Sequence, residues 1–515
     1  MKNFLKSAIL LILLLIISKF LGIIREVLLA QKFATSYITD AYIVAISLPT
    51  VIFTIFASGF SNSYVSVFMR IKSDRRYTFF NNTFYTLVVI SIIISLICFF
   101  SSEWLVKILA PGFNGKDRLL TIFFVKIIVF YLPLYTAFNI LSAHLMSNEK
   151  FFLTNFCNFI VANIIIILSI VFASIKNPNI LIYGYVISMA VPVAILLIVF
   201  IKNKELKYNF SVNIKDNDFK QLFKIAFPLG LSSFVNQING VIDKIFASLS
   251  ESGIMSALSY ANRLQILPYS LIISSFLTLL KPALNRNFAN KDIKKAICNG
   301  QFIILSSFYT CIPISFFLYK FSFPIVSLLL ERGIFSSKST FLVSTCLSYY
   351  AIGIPFYACR EIITSILAAN YKQKSILKNT VLCVVLNIVL NLIFTKIIGY
   401  KGLPLSTSLI GVFSCVLMIY DLKRLNIMIF TKKVTKEIGK ISLNAIIVVT
   451  FSNFLYEILK DKLNYNVVVY ISFIFGFIYI IFSFIFKIKI IEYMYKKLIK
   501  NRILSNRKNT TYKLP

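Results

Sequence analysis

Stretches of about twenty apolar residues, enough for a helix to cross a ~30 Å hydrocarbon core, recur along this chain from its first residues to beyond residue 480. At that depth there is no water, so the backbone must satisfy its own hydrogen bonds and each stretch is expected to be a helix. The chain therefore reads as an all-α polytopic membrane protein. With 58% of its 515 residues hydrophobic and a mean hydropathy of +0.82, an ordinary soluble domain is excluded. The first stretch runs past residue 20 into charged helical sequence and lacks a small-residue cleavage site, so it reads as a first span, not a removed signal peptide. The eight cysteines are scattered, mostly in apolar segments, without a C-x-x-C pair; they suit small buried hydrophobes, not a disulfide framework or metal site.

The formal net charge of +35 would suit a nucleic-acid binder, but its distribution does not. One set of connections holds the basic residues: Arg70 to Arg76, Lys202 to Lys224, Lys281 to Lys295, Lys372 to Lys378, Lys423 to Lys440, and a tail with nine of them from Lys487. The alternate connections, at 31–37, 102–119, 176–180, 249–255, 331–340, 397–401 and 458–465, are short and nearly neutral. This is the positive-inside pattern. It puts both termini in the cytoplasm and requires an even number of spans, which the fourteen helices expected from the apolar stretches between residues 7 and 486 satisfy. The tail, 487–515, is expected to begin as a basic amphipathic helix on the inner leaflet.

A weak internal repeat divides this array. Gly22-Ile23-Ile24-Arg25-Glu26-Val27 aligns with Gly240-Val241-Ile242-Asp243-Lys244-Ile245. An aromatic follows midway in each copy (Tyr42 and Tyr260), and each copy reaches a Leu-Pro, at Pro49 or Pro268. The copies lie some 218 residues apart with six helices between them, so both run the same way through the membrane and the halves relate by a pseudo-two-fold axis along its normal. We read 1–212 as a lobe of helices 1–6, 213–428 as a second lobe of helices 7–12, 429–486 as an appended pair, and 487–515 as the tail.

The charged positions of the repeat are its unusual ones. An ionisable side chain at bilayer depth costs roughly 2.5 kcal/mol or far more and by default marks a functional site. The first copy holds Lys19, Arg25, Glu26 and Asp40, with Lys19 and Glu26 on one helix face. They suit either an ion pair of Arg25 with Glu26 or Asp40, or a cationic surface for an anionic substrate. In the second copy Asp243 and Arg263 fall on adjacent helices, as a salt bridge or as separate ligands. Asn387 and Asn391, one turn apart, offer oxygens to a hard cation or hydrogen bonds between helices. Pro404, in G-L-P-L-S-T-S, removes a donor and frees a backbone carbonyl one turn earlier, beside Thr407. The single His144 has no company for a metal. P-loop, Rossmann and G-x-S-x-G patterns are absent, and the loops hold no D-x-x-D or carboxylate cluster of the sort a membrane glycosyltransferase would need, so a glycan-modifying enzyme is disfavoured and no organic cofactor is expected. Transport would then draw on an ion gradient, the membrane potential or the substrate itself.

These residues together resemble the MurJ/MviN family of lipid II flippases, in the multidrug/oligosaccharidyl-lipid/polysaccharide (MOP) exporter superfamily. The resemblance rests on S-K-F-L-G-I-I-R-E-V-L-L-A at 18–30, T-D-A-Y at 39–42, I-F-A-S-G-F at 55–60 and I-D-K-I-F-A-S at 242–248. It continues through S-A-L-S-Y-A-N-R-L-Q-I-L-P at 256–268, L-L-L-E-R-G-I-F at 328–335, Y-A-I-G-I-P at 350–355 and N-I-V-L-N…G-L-P-L-S-T-S at 387–408. It implies two six-helix lobes around a cationic cavity, a groove for the polyprenyl tail at helices 13–14, and a monomer that flips lipid II among membrane lipids by alternating access. The substrate pyrophosphate would be held by Lys19, Arg25 and Arg263, supported by the acidic Glu26 and Asp40. The family's Na⁺ site maps onto Asp243, Asn387, Asn391, Leu403 (through its carbonyl) and Thr407, with Asn391 standing where better-studied members have Asp. A second departure is that Thr50, Phe53, Thr54 and Ser58 replace a family Asn, an Arg pair and a Glu. That change admits a different polyprenyl-linked oligosaccharide as substrate. A cation-coupled drug exporter would share the architecture, but its cavity should be acid-rich.

Overall fold

The computed structural model describes residues 2–54, 59–203, 212–290, 292–370, 372–463 and 467–491. Among them every regular element is helical, as apolar sequence in a bilayer requires. Helix occurs at each of the fourteen expected segments, but nine described stretches are long and apolar enough to cross a membrane. They are ten if the pair Ser337–Ala351 and Ile354–Ala369, bent by 47°, counts as one span. The expected fourteen spans are therefore not reproduced by length and apolarity alone. One of the nine stretches, Gln373–Arg424, itself holds two helices.

The chain packs as two compact units, Met1–Ser259 with Leu330–Ser339, and Tyr260–Leu329 with Thr340–Pro515. The first contains α1 (Lys2–Phe33), α2 (Tyr37–Thr54), α3 (Asn62–Phe68), α4 (Ser73–Phe100), α5 (Ser102–Leu109), α6 (Gly115–Ile128), α7 (Tyr131–Ser147), α8 (Phe151–Phe156), α9 (Ala162–Phe172), α10 (Asn179–Lys202) and α11 (Asn217–Ser248). A π-helical turn, Cys157–Val161, joins α8 to α9. In this unit α1 packs on α9, α2 on α6 and α11, α4 on α7, and α10 on α7 and α9. Lipid is as apolar as leucine, so helices associate through close approach and polar bonds more than through hydrophobic drive. At Gly184 a Cβ would stand 2.0 Å from the Ser169 Cβ, so only glycine lets α10 lie this close to α9. His144 is buried in an aromatic nest of Phe68, Phe80 and Phe200. Its Nδ1 shares a 2.9 Å hydrogen bond with the Tyr64 hydroxyl, which makes it a packing residue.

The second unit begins within α12 (Ile254–Ala289) and holds α13 (Ile293–Lys320), α14 (Ser322–Leu330), α15 (Ser337–Ala351), α16 (Ile354–Ala369), α17 (Gln373–Ile398), α18 (Gly402–Arg424), α19 (Lys432–Leu463) and α20 (Val467–Ile485). Helix α13 packs against α16 and α19, and α18 against α16 and α17. The expected appended pair, α19 and α20, joins the same buried core through Ile441, Val448, Phe475 and Tyr479. Polar bonds fix it there: Asn444 donates to the Ser483 hydroxyl at 2.9 Å, and the Tyr479 hydroxyl to the Tyr309 carbonyl at 3.0 Å. The outer face of α20 stays apolar and open, with Phe473 74% exposed. That suits lipid, not water.

Loop contacts follow charge. In the first unit the neutral connections touch one another: the Thr35 and Ser339 hydroxyls lie 2.7 Å apart, Ile334 N–H donates to the Gln31 carbonyl, and Gly112 packs onto the Ser248 backbone. Basic connections touch basic ones, since Arg75 pairs with Asp216 at 3.5 Å and Asp218 at 2.8 Å. Asp216 in turn caps α11 by accepting from the Asp218 and Phe219 amides. Because neutral loops from both sides of residue 212 pack together, the compact units are drawn differently from the division by repeat at 1–212 and 213–428. Of the tail from 487 only residues up to 491 are described.

Candidate functional site

In the first unit the site is built on α1. Arg25 Nε donates to Glu26 Oε1 at 3.2 Å, and the two side chains are 28% and 13% exposed. Of the two partners open to Arg25 in the sequence, the structure selects Glu26. The bond uses Nε, and among the described residues no hydrogen bond engages the two Nη groups. That free edge is the part of a guanidinium that grips phosphate or carboxylate in a fork. One turn earlier, a Cβ built on Gly22 would meet nothing within 4 Å, so α1 borders open space there. Lys19 is exposed and, six residues before Arg25, stands roughly 120° around the helix from it.

Asp40, only 2% exposed, serves another end of the fold. Its carboxylate accepts from the Gly253 amide at 2.6 Å and the Ser256 amide at 2.7 Å. The first amides of a helix have no partner within it and carry the positive end of its dipole. Asp40 therefore acts as a borrowed cap that ties α2 to the start of α12. Gly253 itself sits at φ +92, where a Cβ would meet the Thr35 carbonyl oxygen at 2.6 Å.

Sequence reasoning marked Tyr42 only as a repeat aromatic and missed its company. Tyr42 on α2, Tyr131 on α7 and Tyr185 on α10 converge, with ring centroids 6.2 Å apart for Tyr42–Tyr185 and 5.1 Å for Tyr131–Tyr185. Tyr135 stacks beneath Tyr131 at 5.6 Å. The Arg25 charge acts on Tyr42, Tyr131 and Tyr185. Only the tertiary packing reveals this cluster, because its members lie on three separate helices. Asp243, half-buried on α11, has the adjacent Lys244 as a charge neighbour.

In the second unit Arg263 is half-buried on α12. Asn387 and Asn391 are 1% and 0% exposed, and Asn391 Nδ2 donates to Asn387 Oδ1 at 3.3 Å along α17. Gly399, at φ +64, ends α17. Gly402 then lets α18 start against the Phe394 backbone, where a Cβ would come within 2.5 Å. Pro404 falls in the first turn of α18, where its missing N–H would have had no partner anyway. The break is at Gly399, not at the proline. The Leu403 carbonyl accepts from the Thr407 hydroxyl at 2.9 Å, and the Tyr357 hydroxyl donates to the Thr407 carbonyl at 2.6 Å. Thus Asn387 joins Asn391 and Leu403 joins Thr407, while Asp243 belongs to the first unit and Arg25 and Arg263 to different units. The described residues hold no group of three His, Cys, Asp or Glu side chains placed for a metal ion. Phe53 and Thr54 lie on α2, but their side chains, that of Thr50 and all of Ser58 fall outside the described residues.

A family model described as lipid II flippase MurJ matches residues 29–475. A relative from Rickettsia prowazekii (strain Madrid E), named probable lipid II flippase MurJ, is 28% identical over 411 residues, covering 78% of this chain and 81% of that one. One of the same name from Aquifex aeolicus (strain VF5) is 28% identical over 418 residues, with 79% and 81% covered. A solved structure of lipid II flippase MurJ in an inward closed conformation superposes with a TM-score of 0.82 at 25% identity, covering 95% of this chain and 100% of that one. An inward-facing multidrug resistance MATE family transporter of the MOP superfamily shares the fold, with a TM-score of 0.66 at 13% identity over 81% of this chain and 96% of that one. A multi-pass helical chain with charged repeat positions, matched over this length, belongs to the MurJ lipid II flippase family.

Proposed function

We propose that this protein carries lipid II from the inner to the outer leaflet of the bacterial cytoplasmic membrane by alternating access, as a monomer with both termini in the cytoplasm. The observation that carries the reading is Arg25, a guanidinium on an apolar helix whose Nη edge is left open while Glu26 holds Nε. A pyrophosphate offers the paired anionic oxygens such an edge fits. Arg263 supplies the second cation and Lys19 a third at the approach, while the polyprenyl tail stays in the bilayer beside 429–486. The lobes 1–212 and 213–428 then rock, and the neutral-loop contacts at Thr35, Gly253 and Ser339 open to release the head group outward.

The oxygen donors of Asp243, Asn387, Asn391, Leu403 and Thr407 are of the kind that suits a hard monovalent cation, with one carboxylate for charge. Na⁺ held by them would bias the return of the empty carrier. Two of these oxygens already accept hydrogen bonds, from Asn391 and Thr407, so ion binding would work against those bonds. Flipping that runs as fast in K⁺ as in Na⁺ would remove the ion from the cycle.

The test is rescue of cells depleted of their own lipid II flippase. The chain should restore growth, and Arg25→Ala or Arg263→Ala, expressed to the same level, should not. Full rescue by both variants would sink the site assignment. Failure of the unaltered chain, with loss of a surface polysaccharide when its gene is deleted, would redirect the substrate to another polyprenyl-linked glycan.

A further inference from the structure

We propose that the hydroxyls of Tyr42 and Tyr185 are diphosphate-binding donors beside Arg25, a neutral half of the anion site that rests on the flippase reading above. Tyr42 is 3% exposed, and among the described residues neither its hydroxyl nor that of Tyr185 has a hydrogen-bond partner. Tyr185 is half-buried, and neither phenol oxygen is among the sealed polar atoms left without a partner, so both donors, on rings 6.2 Å apart by centroid, open onto space that a ligand can enter. The cation whose charge acts on both is Arg25, whose Nη edge is also unengaged.

The chemistry selects an anion over a sugar face. The Tyr42, Tyr131 and Tyr185 rings lie against one another, edge to face or tilted, so they are engaged with each other and not laid flat for a sugar ring. A phenol is neutral at physiological pH, so it donates to a phosphate oxygen without adding another buried charge to desolvate. Hydrogen bonds to an ionised acceptor are also the short, strong class. Arg25 thus draws in the diphosphate, Glu26 fixes the guanidinium, and the two phenols complete the donor set from α2 and α10. The packing of Gly184 on Ser169 holds α10, and with it Tyr185, in place.

The experiment measures binding of farnesyl diphosphate, with farnesol as the uncharged control, to the purified full-length protein. Tyr42→Phe with Tyr185→Phe keeps both rings and removes both donors. This variant should weaken farnesyl diphosphate binding roughly tenfold and leave farnesol unchanged. Should the double variant fail to purify as a monodisperse species, each single variant, expected roughly threefold weaker, decides the question alone. Unchanged affinity in the Phe variants, with binding lost in Arg25→Ala, overturns the tyrosine assignment and leaves the flippase reading standing. Wild-type protein that binds farnesyl diphosphate no better than farnesol overturns both.

Discussion

At the residue scale, charge in an apolar helix stands in two different settings in this protein, and geometry tells them apart. Arg25 keeps part of its fork unengaged, whereas Asp40 has both carboxylate oxygens committed to backbone amides at 2.6 and 2.7 Å. Hydrogen bonds to a charged group contribute about 1.5–3 kcal/mol each, so Asp40→Ala should destabilise the protein by roughly 3 kcal/mol or more. Asp40→Asn, which keeps one acceptor oxygen, should fall between. Thermal unfolding of the detergent-solubilised protein measures both, and an Asp40→Ala variant as stable as wild type would contradict the capping role. Sequence alone puts Lys19, Arg25, Glu26, Asp40, Asp243 and Arg263 in one class because each is a charge where charge is costly. It cannot single out Asp40 as a cap, since that depends on Gly253 and Ser256, more than two hundred residues away in the chain.

At the element scale, glycines mark where backbones meet. Gly253 and Gly333 sit at φ +92 and +63, and a Cβ on either would press on a backbone carbonyl oxygen of the α1 end, Thr35 at 2.6 Å or Gln31 at 2.5 Å. Gly253→Ala or Gly333→Ala should each cost about 1–3 kcal/mol from backbone strain alone. By contrast Gly22 and Gly240, the aligned glycines of the repeat, have nothing within 4 Å of an added methyl. Alanine there should be neutral or stabilise by about 0.5–1 kcal/mol, as it does inside helices. Thermal unfolding of the four variants separates the two pairs, and equal losses of stability in all four would refute the distinction. Helix positions were legible because apolar runs and basic connections set them. The turn at Gly399 was not, since Pro404 gave the louder signal and a φ of +64 has no signature beyond a glycine.

At the scale of the whole molecule, the charge pattern predicted which loops share a side, and the contacts of Thr35, Gly253 and Ser339 agree with it. The rocking of the lobes proposed above would require those contacts to break. Cysteines at Thr35 and Ser339, whose hydroxyls are 2.7 Å apart, fall within reach of a disulfide. Cys298, the one exposed cysteine among the described residues, would first be changed to Ser. Oxidation should then stop flipping and reductant restore it, and full flipping by the cross-linked protein would exclude an opening at this point. The central claim is that this chain moves lipid II across the membrane on Arg25 and Arg263. It is tested most directly in cells depleted of their own flippase, by adding a lipid II-cleaving hydrolase that cannot cross the membrane. Expression of the chain should make lipid II cleavable from outside, and the Arg25→Ala and Arg263→Ala variants at equal abundance should leave it protected. Lipid II that stays protected with the unaltered chain, or is cleaved equally with the variants, would contradict the account.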